Sequence, residues 1–243
     1  MKNSSENILE KYLLNPKNSH SRESLVNDKL FFDLKLAAAE RGYFLNIYTP
    51  EVDKDGFDII LDDHDTVIKI QLKTVMKAAN VYQWDIHKSL LRPNRYICED
   101  LGFEFSPTGT GYQGGVILIE LGTKNGLTVD YYYTDIIIIA GIRDGIIDMA
   151  NLPSKEKTDA LFKQLSDGVS HQKISVHKTM FIKAKSPSSL LAFIGLHNTQ
   201  NMYAWKHHIQ KMAEPCDNKL SAPYNVLKKH INDELRTLSD SIR

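Results

Sequence analysis

The stretch Gly56 to Lys73, GFDIILDDHDTVIKIQLK, constrains the fold more than any other part of the chain. Two apolar runs flank the turn-forming segment Asp62–Thr66, where Asp side chains favour bonds to their own backbone. Short β-branched runs on either side of such a segment read as two strands of a hairpin. In the second strand a period of two puts Val67, Lys69, Gln71 and Lys73 on one face and Ile68, Ile70 and Leu72 on the other. Asp58 opens the first strand, and Gln71 and Lys73 close the second. A tight hairpin brings those two ends side by side.

The rest of the chain fills in around this unit. Apolar or small residues at Val26, Leu30, Leu34, Ala37 and Ala38 recur at helical spacing, predicting a helix from about Ser21 to Arg41 with Gly42 as its stop. Tyr43 to Tyr48 reads as a strand. Tyr82, Trp84 and Ile86 alternate with polar residues as an extended piece, and Ser89 to Arg92 as a helical turn. Val116 to Leu121 is predicted as a buried strand, and Val129 to Ile142 as one long strand or two short ones. Ser154 to Asp167 reads as a helix and Lys173 to Lys183 as a strand. Pro187 to Leu196, Met202 to Ala213 and Pro223 to Leu238 read as further helices. This order implies an α/β or α+β fold. The predicted division is a flexible segment over 1–20, a core over 21–150 and an α+β part with a helical extension over 151–243, packed on that core.

At 243 residues, the chain is long enough for one large domain. Its two cysteines, Cys98 and Cys216, suggest neither a metal pair nor a disulfide framework, and so a reducing, cytoplasmic setting. No apolar run approaches a membrane span, and no partnership with a membrane is expected. The net charge of zero hides an asymmetry. Residues 1–170 hold 19 Lys and Arg against 25 Asp and Glu, a net of −6. Residues 171–243 hold 11 against 5, a net of +6, with six of the nine histidines. Such a basic third suits either phosphate contacts or solvated helix faces.

The hairpin carries the chemistry. One carboxylate, one amide oxygen and one ammonium at neighbouring strand ends make an oxygen-rich corner suited to Mg²⁺. A lysine beside it can polarise a water or neutralise charge on a phosphate. Taken singly, Asp58 reads equally as a strand-start residue paired with Lys54, Lys73 as a strand-end lysine, and Gln71 as a partner for a neighbouring backbone edge. Their joint spacing is the informative feature. A G-x-D strand, followed about a dozen residues later by [D/E/Q]-x-K, resembles the PD-(D/E)xK nuclease superfamily. The Q-x-K form, preceded by a helix and an Arg41-Gly42-Tyr43 turn, looks most like Mrr-type restriction endonuclease-like domains over Arg22 to Thr74. The resemblance implies a mixed central sheet flanked by helices and a Mg²⁺- or Mn²⁺-dependent DNA endonuclease, of the kind used in restriction or phage defence. It implies a metal held by Asp58, Gln71 and the Leu72 carbonyl, with Lys73 as the catalytic cation. Family members often add an acid from the first helix, a role that Glu23 fits. A catalytically inactive nuclease-like binding module is the alternative.

DNA contacts are expected at Lys77, Lys88, Arg92 and Arg95, interleaved with Tyr82 and Trp84, whose rings suit either base stacking or the core. A homodimer would supply two sites for two strands. A competing metal reading takes Glu51, Asp53, Asp55, Gly56 and Asp62 as a Ca²⁺ loop, but the residues after it alternate as a strand where an EF-hand needs a helix. GTGYQGG lacks the Lys-Ser/Thr of a phosphate-binding loop.

Overall fold

A computed structural model describes residues 8–51, 56–105, 109–124, 126–167, 172–196, 200–213 and 222–243. The chain begins with α1 (Ile8–Leu14), a 3-10 turn (Pro16–Asn18) and the long α2 (Ser19–Ala39). The predicted helix thus forms and starts two residues earlier than expected, at Ser19 directly after the 3-10 turn. Strands β1 (Asn46–Tyr48), β2 (Ile59–Asp62) and β3 (Val67–Met76) come next as an antiparallel meander. The acids of the intervening turn do the backbone work expected of them. Asp62 Oδ1 accepts from the His64 amide at 2.9 Å, and Asp63 Oδ1 accepts from Asp65 and Thr66 at 3.1 and 2.7 Å. Residues 52–55 of the candidate Ca²⁺ loop, Lys54 among them, lie outside the described residues, and its last positions form β2 rather than a helix. Cys216 also lies outside the described residues, while Cys98 is a buried free thiol.

After β3 the chain leaves the sheet through β4 (Gln83–His87) and α3 (Lys88–Leu91). It returns as β5 (Gly115–Gly122), parallel to β3, with β6 (Thr128–Asp135) antiparallel beyond it. Here the sequence expectation needs correction. Ile136 to Ile142, predicted as strand, is the helix α4 (Ile136–Arg143). Asp135 ends β6 and caps this helix, its Oδ1 accepting from the Ile138 amide at 2.9 Å. A helix apolar on every side and a buried strand have the same composition. Here the cap and full burial select the helix.

The remaining elements are α5 (Lys155–Ser166), β7 (Lys173–His177), β8 (Ile182–Lys183), α6 (Pro187–Ile194), α7 (Gln200–Ala213) and α8 (Ala222–Leu238). The main sheet has six strands in the order β1-β2-β3-β5-β6-β8, and β4 pairs with β7 in a second, two-stranded sheet. The fold is α/β with a mixed central sheet and helices around it. The stretch 151–243 is interleaved with the preceding residues, since it supplies an edge strand to one sheet and half of the other. One apolar cluster runs from Val26 on α2 to Ile242.

The two faces of the main sheet differ in what covers them. Residues in register on neighbouring strands point to the same side. Ile59, Ile70, Ile117 and Tyr133, along with Leu72, Ile119 and Tyr131, share one side. α2 packs there, with Tyr131 donating to Asp33 at 2.7 Å and Val26 beside Leu121 and Val129. Gln71, Lys73, Val116, Leu118 and Glu120 point to the opposite side.

Candidate functional site

The start of β2 and the middle of β3 meet as the hairpin requires. The Asp58 amide donates to the Ile70 carbonyl at 2.8 Å. Its carboxylate Oδ2 accepts from the Leu72 amide at 2.5 Å, so the side chain continues the ladder just before β2 begins. A strand residue's N–H and C=O lie on the same edge, which turns the Leu72 carbonyl toward Asp58. Gln71 and Lys73 point away from α2, and Gln71 is buried while Asp58 and Lys73 are half-buried. Among the described residues no acid or acceptor is bonded to the Lys73 ammonium. Gln71 Oε1 accepts, at a long 3.4 Å, from the His87 amide where β4 ends.

His87 is the neighbour that sequence reasoning missed. Its ring lies over Gly56, where an added Cβ would stand 2.1 Å from the ring carbon Cγ, and Gly56 has a φ of +75°. Only a residue without a side chain accepts both the conformation and the approach. The period-two pattern of Tyr82 to His87 marked His87 as polar. Its position beside the hairpin depends on how the excursion between β3 and β5 folds back, which no local pattern records.

Glu23 does not join this group. It is exposed, on a helix that covers the opposite face of the sheet. Val26 packs at Leu121, which is in register with Met76, five residues beyond Gln71 and so about 16 Å along the strand. Glu23 lies a further turn away. Helical spacing put Glu23 with Val26 and Leu30, but that face looks at Leu121 and Val129 rather than at Asp58. Among the described residues there is no group of three His, Cys, Asp or Glu arranged to hold a metal.

The four expected DNA-contacting cations divide. Arg95 is exposed, its guanidinium 5.4 Å from the Tyr96 ring centroid and 5.8 Å from that of Phe105. Lys77 is exposed and pairs with Asp130 at 3.4 Å. Lys88 and Arg92 are turned inward. Arg92 has 0% exposure, and donates through Nε to the Leu165 carbonyl at 2.6 Å and through Nη2 to the Asp167 carbonyl at 3.3 Å. The Lys88 ammonium also donates to the Asp167 carbonyl. Both cations therefore satisfy the C-terminal end of α5, where carbonyls lack helical partners and the dipole is negative. Burial lowers both pKa values, with the charge of Arg92 adding to the effect at Lys88. Trp84 is likewise core, edge-on to Phe181 at 5.9 Å, while Tyr82 is exposed.

Beyond Lys73 the same face carries a row of ion pairs. Glu120, buried on β5, binds the Lys178 ammonium and accepts from the Tyr132 hydroxyl at 2.9 Å. Burial, then the bond to Glu120, raises the Tyr132 pKa. Asp130 pairs with Lys183 at 2.9 Å and with Lys77. Burial alone would raise the Asp130 pKa, but its bonds and attraction to these lysines outweigh that and lower it.

No protein-family model and no curated protein matches the chain. Among the described residues, no helix is long and apolar enough to cross a membrane.

Proposed function

We propose that the chain is a restriction endonuclease-like, divalent-metal-dependent nuclease whose site is the Asp58–Gln71–Lys73 corner, acting on DNA. The observation that carries this reading is the bond from the Leu72 amide to the Asp58 carboxylate. It brings the G-x-D and Q-x-K segments together at one strand edge, with Lys73 on the adjoining face. Asp58, the Gln71 amide oxygen and the Leu72 carbonyl would hold Mg²⁺ or Mn²⁺, both of which favour oxygen donors. When bound, such an ion polarises a phosphate and acidifies a water. Lys73 would hold the attacking water or offset the charge that develops on the phosphate. Its half-buried position strengthens that interaction relative to bulk water. Burial and the His87 amide fix the orientation of Gln71.

A second reading is favoured by a specific observation. Among the described residues no group of three His, Cys, Asp or Glu is arranged to hold a metal, and Gln71 already serves the His87 amide. A nuclease-like fold that binds nucleic acid without cutting it would tolerate both features. The decisive experiment is plasmid nicking with Mg²⁺ or Mn²⁺, comparing the wild type with Asp58→Ala and Lys73→Ala after a check that all three melt cooperatively. Hydrolysis by the wild type alone supports the nuclease. Equal nicking by all three removes this corner from the chemistry. Retardation of DNA without cleavage supports the binding module.

A further inference from the structure

On the α2 side of the sheet, near the start of β3, lies a cavity of about 180 Å³. Its wall includes Lys206, Asp135 and Tyr133, with Asn94 and Gln113 beside them and Ile68, Ile137 and Ile194 as apolar lining. Lys206 and Asp135 are an ion pair at 2.5 Å whose side chains are only 7% and 6% exposed. Asp135 is heavily committed: Oδ1 caps α4, while Oδ2 accepts from both Lys206 and the Tyr133 hydroxyl, the latter at 3.1 Å. Gly115 lets Tyr133 reach it, since a Cβ there would stand 2.3 Å from the hydroxyl oxygen.

Donors outnumber acceptors around this space. An ammonium has three N–H groups. Those of Lys206 have two acceptors among the described residues, Asp135 and the Ile194 carbonyl at 3.1 Å. Gln113 uses Oε1 to accept from the Asn94 amide at 3.4 Å, and Asn94 uses Oδ1 to accept from Tyr96 at 2.9 Å. Both side chains line the cavity, and their NH₂ groups have no partner among the described residues. Burial lowers the pKa of Lys206, and Asp135 offsets this only in part. Asp135 already balances the charge of Lys206, so what the third N–H offers a ligand is a charge-assisted donor bond.

We propose that this cavity binds a small aliphatic carboxylate. Its two oxygens would accept from Lys206 and from the Asn94 and Gln113 amides, and its short apolar tail would lie on Ile68, Ile137 and Ile194. The volume suits roughly six to eight non-hydrogen atoms when compared with the space several waters occupy. The inference does not depend on the nuclease reading, because it concerns different residues on the opposite face of the sheet.

The test is calorimetric titration of the full chain with butyrate, with butyramide as a neutral control of the same size. Gln113→Glu and Asn94→Asp change the donors to carboxylates while preserving shape and the acceptor oxygens already in use. Saturable butyrate binding is expected, at least tenfold tighter than butyramide and weakened at least tenfold by either variant. Lys206→Met should abolish it, and if that variant fails to fold the two rim variants decide. Equal binding of acid and amide, butyrate binding unchanged by the rim variants, or no saturable binding would each overturn the proposal, the last leaving a cavity filled by water.

Discussion

Arg92 separates what the chain looks like from what it does. In the sequence it is one of a run of cations after the hairpin, suited to a phosphate. In the fold it is fully buried, with two N–H groups on carbonyls at the end of α5. Arg92→Met keeps the apolar stem but removes the guanidinium. Hydrogen bonds to charged groups contribute about 1.5–3 kcal/mol each, and the Leu165 carbonyl left behind is buried. A loss of about 3–5 kcal/mol is expected. For a chain of this length each kcal/mol shifts the melting temperature by about 2–4 °C, so the variant should melt about 6–20 °C below the wild type. Lys77→Met is the control: that side chain is 61% exposed and its pair with Asp130 is long at 3.4 Å, so it should cost under about 1 kcal/mol. Thermal unfolding monitored by circular dichroism measures both. If Arg92→Met melts within about 1 °C of the wild type yet binds DNA more weakly, Arg92 is a surface contact and the packing described for α5 is wrong.

Three other perturbations probe the geometry. Glu23→Gln should leave any nicking activity within about twofold, since about 16 Å of strand separates the packing site of Val26 from Gln71; a drop as large as that of Asp58→Ala would return Glu23 to the site. Gly56→Ala should lower the melting temperature and displace His87, because the new methyl meets the His87 ring at a positive φ; an unshifted His87 ring resonance would contradict this. His177 accepts from the Thr179 amide at 3.3 Å, and burial, then the nearby Lys157 charge, lowers its pKa. A depressed histidine contributes stability above its ordinary pKa and loses it as the pH falls through the depressed value. Stability measured between pH 7.5 and 5 should therefore fall with acid, and His177→Gln should flatten that slope without abolishing it, because burial also lowers the pKa of His208.

The hairpin was legible because its signals are local. Turn acids, β-branched runs and a period of two fixed the pairing of β2 with β3 before any long-range contact was considered. The ends of α5 were equally plain, with Ser154 as cap at the start and Asp167 just past the last turn. The Ile136 to Ile142 segment was not legible, because full burial removes the polar face that distinguishes helix from strand, and only the Asp135 cap and the surrounding elements resolve it.

The candidate site divides in the same way. Local sequence was enough to set Asp58 beside the strand that carries Gln71 and Lys73, since a hairpin register is set by a short run of consecutive residues. It was also enough to put Gln71 and Lys73 on one face, which is a property of the pleat. That α2 covers the other face and takes Glu23 with it came from long-range packing alone. The same packing turned Lys88 and Arg92 inward onto α5, brought His87 over Gly56 and enclosed Lys206 with Asp135. Each of these depends on the direction of a chain returning over tens of residues, and the free energy that selects that direction is spread over the whole apolar core rather than written at any one position.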